Sequence, residues 1–248
     1  MIQQSSLNPN AFEILSSPTD RNKVTKKTCI ISYNSIGFSA MQQDFIKTLS
    51  SDKIIGDKIP IICNQENFIL RGNFYKLRKA CPGSHFIFNP AVKSSLDKGR
   101  PKGGMFISVP NSVKSQVSDV SPGHWRVQAV IMSAVEAKTL VINTYFPCET
   151  GRRVGQEVEE CSEVIEIIRK VVRENEFDSL VIYGDINTDF RRNSGQVDAV
   201  NHLLEELQLE KIWDSFKVDF TRVSCDHVTG EVANTSVIDH FFFSRKLF

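Results

Sequence analysis

Oxygen-bearing side chains recur at the ends of successive apolar segments of this sequence. The six are Asn34, Glu66, Tyr145, Asp185, Asn187 and Asp239. Strand ends on one rim of a packed sheet are rigid and adjacent, so side chains distant in sequence can converge there. Carboxylates and amides together form a hard-oxygen site suited to Mg²⁺ or Mn²⁺. The pattern predicts a divalent-metal site of the kind used in phosphate chemistry.

Each of these residues also has a structural interpretation when it is taken singly. A strand-end asparagine such as Asn34 is usually a turn former, Glu66 could be a loop carboxylate, and Tyr145 could be a core aromatic. The pair Asp185 and Asn187 is the least easily explained in this way. The recurrence of the pattern along the chain favours a site.

The segments that must position these residues alternate between apolar and amphipathic patterns. Apolar runs predict strands at 29–33, 59–63, 104–109, 125–135, 139–145, 179–183 and 237–243. Helical spacing of apolar residues predicts helices over 41–49, 157–173 and 197–207. Several strands follow one another without a helix between, which favours antiparallel pairing. The predicted fold class is α/β, a four-layer α/β sandwich of two packed, mainly antiparallel sheets flanked by helices.

The first 27 residues differ from the rest of the chain. They are polar, with one short apolar island at Phe12, Ile14 and Leu15, and show no sustained period. We predict a mobile N-terminal arm over 1–27. The remaining residues, 28–248, are predicted to form one domain.

Charge and cysteine content limit the function classes. Thirty basic and twenty-nine acidic residues give a net charge of +1, so any nucleic-acid contact must be a local basic patch. The six cysteines form no CxxC pair and are interpreted as reduced, mostly buried thiols. Neither a signal-peptide core nor a run of roughly 20 apolar residues is found. We expect no membrane partner and a location in the nucleus or cytoplasm.

Five short motifs, in order, carry a family resemblance. They are SYNSIG at 32–37, QE at 65–66, NTYFP at 143–147, GDIN at 184–187 and SVIDHF at 236–241. Together they resemble the endonuclease/exonuclease/phosphatase superfamily over residues 28–248. Within it, QENFIL at 65–70 and KGRPKGG at 98–104 look more like the apurinic-like endonucleases of non-LTR (LINE-type) retrotransposons than like phosphatases or deadenylases.

This resemblance implies roles for the candidate residues. Glu66 would hold Mg²⁺, with Mn²⁺ as an alternative, and Asp185 would orient or deprotonate the attacking water. Asn34 and Asn187 would donate hydrogen bonds to the phosphate, and Tyr145 would add a donor or a phenolate-stabilising contact. Asp239 matches the aspartate that holds the family's catalytic histidine.

The resemblance also implies a substrate and partners. The chain would be a monomeric DNA-nicking endonuclease that leaves a 3′ hydroxyl to prime reverse transcription, with a reverse transcriptase downstream in the parent polypeptide. Basic residues that could hold DNA phosphates are Arg100 and Lys102 before one strand and Arg191 and Arg192 after GDIN. A solvated face is the alternative for each of these charge runs.

Thr221 and Arg222 lie where relatives often carry a threonine followed by an aromatic residue. Thr221 is predicted to contact the phosphate backbone. Arg222 would replace a base or sugar contact with a charge contact. Both residues are therefore candidates for nucleic-acid binding.

The sequence departs from the family at its C-terminal side. The family ends in a Ser-Asp-His strand, but here nine residues follow Asp239, and completing that strand needs roughly 15 more. The domain is therefore predicted to be C-terminally truncated. The tripeptide CDH at 225–227 is a possible substitute, but it precedes Asp239, and a solvated loop is the favoured interpretation. His240 should point away from Asp239 and pack with Phe242.

Two other functions stay open. Loss of a catalytic histidine and a metal ligand could leave a catalytically dead fragment that at most binds DNA. The chain could instead be another phosphodiesterase or phosphatase of the superfamily, acting on RNA or on a phosphoinositide.

Overall fold

Two β-sheets that pack face to face form the centre of the molecule. The computed structural model describes residues 10–14, 28–49, 59–93, 99–135, 137–149, 154–214, 221–225 and 232–244. The first sheet contains β1 (Asn10–Ile14), β2 (Thr28–Asn34), β3 (Ile59–Gln65), β4 (Ser84–Asn89) and β5 (Met105–Pro110), in the order β1-β2-β3-β5-β4.

The second sheet has six strands. They are β6 (Val117–Asp119), β7 (Val127–Ser133), β8 (Lys138–Tyr145), β9 (Ser179–Asp185), β10 (Leu209–Lys211) and β13 (Asp239–Ser244), in the order β10-β13-β9-β8-β7-β6. A separate two-stranded ribbon joins β11 (Arg222–Cys225) to β12 (Val232–Ser236).

Among the described residues, four α-helices flank the sheets. They are α1 (Ala40–Leu49), α2 (Tyr75–Ala80), α3 (Val154–Glu174) and α4 (Gly195–Glu206), and short 3-10 turns occur at Arg71–Asn73, Asn111–Gln116 and Ile212–Asp214. No helix in the described part of the chain is both long enough and apolar enough to cross a bilayer.

Three apolar layers hold the sandwich together. The central layer lies between the sheets, where Ile30 and Ile61 of one meet Val141 and Val181 of the other. A second layer packs α3 and α4 on the outer face of the second sheet, and a third packs α1 and α2 on the first. Both faces of β8 and β9 are covered, which explains their continuously apolar sequences. The predicted four-layer α/β sandwich is confirmed.

Pairing is mainly antiparallel, as predicted, with one parallel pair in each sheet. The parallel pairs are β2 with β3 and β8 with β9. Helix α1 lies between the first pair in sequence and α3 between the second, because a parallel connection requires a crossover. These two crossovers bring the C-terminal ends of β2, β3, β8 and β9 to the edge where the predicted site residues lie.

Several element predictions need correction. Residues Asn10–Ile14, within the predicted mobile arm, pair as an edge strand with β2, and the other residues of 1–27 lie outside the described ones. The strand predicted over 125–135 runs from Val127 to Ser133, because the chain turns at Trp125 and Arg126. The strands β4, β6, β10, β11 and β12 were not predicted. β6 and β10 have three residues each, which is too few to show a period.

The five cysteines whose side chains are described are free thiols. Cys29, Cys63, Cys81 and Cys161 are buried, in agreement with the prediction of reduced core cysteines. Cys148 is exposed and lies beside the candidate site described next.

Candidate active site

Strand register brings the predicted site residues to one edge of the sandwich. In the second sheet Asp185 pairs with Tyr145 across β8 and β9 and with Asp239 across β9 and β13. In the first sheet Asn34 pairs with Gln65, the residue before Glu66. Neighbouring strands lie about 4.8 Å apart. Each sheet therefore contributes a compact row of side chains.

Asn34 connects the two rows. Its Nδ2 donates to Glu66 Oε2 at 2.9 Å and to Asp185 Oδ2 at 2.6 Å. Its Oδ1 accepts the Ile36 backbone N–H at 3.0 Å, and because that N–H can only donate, the amide nitrogen must face the carboxylates. Glu66 and Asp185, 119 positions apart in sequence, thus share one donor atom and face the same space.

Tyr145 completes the contacts of Glu66. Its hydroxyl donates to Glu66 Oε1 at 2.7 Å. Burial first, and then the charge of Glu66, raise the pKa of the Tyr145 phenol above its ordinary value. Tyr145 is therefore a neutral hydrogen-bond donor. Its two predicted roles at the phosphate, as a donor or as a phenolate-stabilising contact, stay predictions.

Asp185 is the most deeply buried of these carboxylates, with 2% of its surface exposed. Burial, together with the charges of Asp239 and Glu66, raises the pKa of Asp185 well above its usual range. The Asn34 amide and the Asn187 backbone N–H, which donates to Oδ1 at 2.9 Å, only partly oppose this effect. Ionised Asp185 therefore needs a positive counterpart at the site.

A divalent cation fits that requirement. Glu66 and Asp185 present carboxylate oxygens, the donors that Mg²⁺ and Mn²⁺ prefer. Among the described residues, no group of three or more Asp, Glu, His or Cys side chains could hold a metal ion. Mg²⁺ is commonly held through one or two carboxylates with water completing its shell. Glu66 and Asp185 are the residues that would hold it here.

Close packing of β8 against β9 requires a glycine before Asp185. Gly184 has φ +138°, and a Cβ at this position would lie 2.0 Å from the Thr144 carbonyl oxygen. No other residue fits without separating the strands. The glycine of the GDIN motif is thus a steric requirement for placing Asp185 beside Tyr145.

Asn187 lies beside the cluster in a left-handed backbone conformation, with φ +52°. Its Nδ2 donates to the Phe146 carbonyl at 2.9 Å, and its Oδ1 accepts the Cys148 thiol at 3.3 Å. One N–H of the amide has no partner among the described residues. That N–H is the one available for the predicted phosphate contact.

A chain of buried amides joins the sheets directly beneath the site. Gln128 Nε2 donates to the Ile87 and Met105 carbonyls, so its Oε1 accepts from Asn143 Nδ2 at 3.0 Å. Asn143 Oδ1 then accepts from Gln65 Nε2 at 2.5 Å. Carbonyls only accept, so they determine the direction of every bond in the chain. Gln65 and Asn143 belong to the QE and NTYFP motifs, but the sequence did not predict that their side chains, together with that of Gln128, join the two sheets.

Arg126 is a second feature that the sequence did not reveal. It is 8% exposed, its Cζ lies 4.0 Å from the Trp125 ring centroid, and it donates to the Tyr145 carbonyl at 3.3 Å. A 2.7 Å ion pair with Glu160 ties it to α3. Arg126 therefore fixes the backbone from which Tyr145 projects. The one sequence signal for this role of Arg126 is the Trp-Arg pair at 125–126, which comes before an apolar strand.

His240 packs on the far side of β13 from Asp239. It is 2% exposed and stacks on Phe242 with 5.7 Å between ring centroids. Its Nε2 lies 2.8 Å from the Thr188 carbonyl and 3.1 Å from that of Val237, so this nitrogen carries the proton. The prediction that His240 packs with Phe242 is confirmed.

The predicted DNA-contacting residues differ in their surroundings. Arg191 chelates Asp189 with Nε–Oδ1 at 2.8 Å and Nη2–Oδ2 at 2.6 Å. Burial opposes ionisation of Asp189, but these bonds lower its pKa to about 2. Arg192 and Lys102 are exposed, and Arg100 lies over the Phe68 ring. Their contact with DNA stays a prediction.

Thr221 has a structural contact that the sequence did not predict. Its Oγ1 accepts the backbone N–H groups of Ile238 and Asp239 at 3.0 and 3.1 Å. It therefore fixes the entry to β13, next to the candidate site. The side chain of Arg222 and residues 226 and 227 of the CDH tripeptide lie outside the described residues.

No protein-family model matches the sequence. No curated protein sequence matches it either.

Solved structures do match. The AP endonuclease LMAP from Leishmania major superposes with TM-score 0.66 at 13% identity, over 88% of this chain and 79% of that one. The 3′-5′ exonuclease NExo from Neisseria meningitidis gives 0.60 at 17% identity over 88% and 87%, respectively. The human nocturnin catalytic domain, with bound sulfate, gives 0.55 at 13% identity over 87% and 82%.

These three proteins share the endonuclease/exonuclease/phosphatase fold. The present chain, with its two mixed sheets flanked by helices, has that fold.

Proposed function

We propose that this chain is a Mg²⁺-dependent phosphodiesterase that nicks DNA. The observation that carries the proposal is the Asn34 amide nitrogen bound to both Glu66 and Asp185, which gathers carboxylates from two sheets at one point. The names of the similar structures support it, because an AP endonuclease and an exonuclease are both nucleases.

Each residue would have its own role in catalysis. Mg²⁺, when bound by Glu66 and Asp185, would polarise a phosphate oxygen as a Lewis acid. Asp185 would orient the attacking water and accept its proton. The water oxygen would bond to phosphorus as the bond to the 3′ oxygen breaks, and the 3′ oxygen would take a proton from solvent, leaving a 3′ hydroxyl and a 5′ phosphate. Tyr145 and Asn34 hold Glu66 in position.

A narrower proposal concerns biological role. The QENFIL and KGRPKGG segments support a nicking domain of a LINE-type retrotransposon, in which the 3′ hydroxyl primes a reverse transcriptase in the same parent polypeptide. Direct extension of the nicked strand by a polymerase, without prior end treatment, tests for that hydroxyl. A 3′ phosphate at the nick would overturn this role.

Plasmid nicking tests the main proposal. The wild-type chain should convert supercoiled plasmid to open circles with Mg²⁺ or Mn²⁺, and Glu66→Gln should lower the rate by about 100-fold or more. Glu205→Gln, at an exposed position on α4, is the matched control. Absence of nicking at any metal concentration would contradict the proposal and favour a catalytically dead domain. Cleavage of RNA or of a phosphoinositide instead would favour another phosphodiesterase or phosphatase.

A further inference from the structure

A groove lies at the end of the second sheet that is remote from the candidate site. It has a volume of about 970 Å³, and its borders include Leu180, near the start of β9, and Ser244, the last residue of β13. Asp185, at the other end of β9, lies about 16 Å along the strand from Leu180. The groove is therefore separate from the place where the proposed reaction would occur.

The floor of this groove is apolar. It is formed by side chains at and shortly after the C-terminal ends of α3 and α4, namely Val172, Phe177, Leu180, Leu204, Leu207 and Leu209. Val172, Phe177 and Leu207 are only half-buried. Apolar surface that remains in contact with water gains free energy when a partner covers it. The floor therefore suits a ligand that presents apolar side chains.

The rim of the groove is acidic. Its charged lining residues are four carboxylates, Asp178, Glu205, Glu210 and Asp214, and one lysine, Lys211, which together have a formal charge of −3. Glu205 and Asp214 are exposed and have no cationic partner among the described residues. A rim of this sign attracts cations and repels the phosphates of a nucleic acid.

The end of α4 is the part of the rim that most lacks a cation. The C-terminus of a helix carries a partial negative charge, which lysine or arginine in the last turn ordinarily offsets. The last turn of α4 has no basic residue and ends in Glu205 and Glu206. Glu206 is paired with Arg169, with Nη2–Oε2 at 2.6 Å, whereas Glu205 adds its charge to the helix end. A cation supplied by a partner would offset both charges.

We propose that this groove binds a lysine- or arginine-rich amphipathic segment of a partner protein. The apolar side chains of the segment cover the floor, and its cations lie against the rim. Such a segment is recognised through apolar anchors at helical spacing, and opposite charges at the rim select the partner. The inference does not depend on the proposed function, and a partner bound here leaves the candidate site open.

Fluorescence anisotropy with the labelled peptide KLLKKLLKKL tests the groove, because this sequence places leucines on one helix face and lysines on the other. Glu205→Lys reverses a rim charge and Leu207→Gln makes the floor polar. Each should weaken binding by about tenfold. Glu159→Lys, the same charge change at an exposed position nearer the other end of α3, should leave the affinity unchanged. The analogue KSSKKSSKKS should bind about tenfold more weakly than the leucine peptide, because it cannot cover the floor.

Thermal melting separates a lost contact from a lost fold. Glu205→Lys places a cation at the negative end of α4, so this variant should melt no lower than the wild type. Binding by each variant is measured well below its own melting temperature.

Three binding results would overturn the proposal. They are no binding of the leucine peptide by the wild type, equal binding by the wild type and both groove variants, and equal affinity for the two peptides. The last result would mean that charge attraction acts without the apolar floor. A wild-type dimer that Glu205→Lys converts to a monomer in sedimentation would instead assign the groove to a second copy of this chain.

Discussion

Asp185 determines the electrostatic character of the candidate site. It is buried and near two other acids, and its only described hydrogen-bond donors are the neutral Asn34 amide and Asn187 backbone N–H. Burying a carboxylate without a cation is costly, so its raised pKa means that the ionised form destabilises the fold. The residue is placed at the expense of stability, which is typical of groups selected for chemistry.

Asp185→Asn should therefore stop nicking while leaving the melting temperature unchanged or higher. Because the folded-state pKa is raised, the contribution of Asp185 to stability is present at low pH and is lost as pH rises through the folded pKa. Without metal, the stability advantage of the variant should grow with pH. Added Mg²⁺ should raise the melting temperature of the wild type only. Thermal melts with and without Mg²⁺ measure this.

Asp44→Asn, which changes an exposed aspartate on α1, is the control for that comparison. A variant at Asp185 that nicks at the wild-type rate would contradict the assignment. So would a melting temperature well below that of the wild type.

At the level of secondary-structure elements, the strand ends and the buried amide chain position the site. β3 ends at Gln65, whose side chain is directed inward to Asn143, and the next residue, Glu66, is directed outward to Tyr145. The inward amide thus links the sheets at the point where the outward carboxylate must be held. The position of the Glu66 carboxylate at the site depends on this link between the sheets.

Gln65→Leu should lower both stability and nicking. It removes the donor to Asn143 Oδ1 and leaves a buried acceptor unsatisfied, which costs about 1–3 kcal/mol. Urea unfolding of Gln65→Leu, Asn143→Leu and the double variant should show non-additive losses, because the two residues share a bond. Gln116→Leu, at an exposed glutamine, is the control. Additive losses would mean that the amides act independently.

The sequence predicted the elements that carry a local period and the residues that follow them. The end of β2 at Asn34 and the end of β9 at Asp185 follow from apolar runs bounded by polar residues. The contacts of Arg126 and of Phe68 with Arg100 could not be predicted, because each residue type is ordinary and only tertiary packing brings them to the site. The inward orientation of the Gln65 side chain could not be predicted for the same reason.

At the scale of the whole molecule, His240 couples stability to acidity. Burial among aromatic side chains lowers the pKa of His240 from 6.5 to about 4, although the hydrogen bonds from Nε2 to the Thr188 and Val237 carbonyls act to raise it. The unfolded chain binds this proton more readily than the folded one. Stability should therefore fall as pH decreases from about 6.5 to about 4, by on the order of 3 kcal/mol.

Urea unfolding across this pH range tests the effect, with His240→Phe compared to the wild type. The variant should lose most of the acid dependence, although it leaves the Thr188 and Val237 carbonyls without a donor and starts from lower stability at neutral pH. His202→Gln changes an exposed histidine on α4 and serves as the control. An equally steep decline in His240→Phe would assign the acid sensitivity to other groups.

The lack of room for a side chain at Gly184 bears on how distant relatives of this chain can be recognised. Identity to the solved structures is 13–17%, so most positions carry little signal. A backbone oxygen 2.0 Å from any added carbon admits only one amino acid, whatever the substrate. We therefore expect a glycine followed by an acid at the end of an apolar run in other chains that pack these two strands in the same way, even where the neighbouring loops differ.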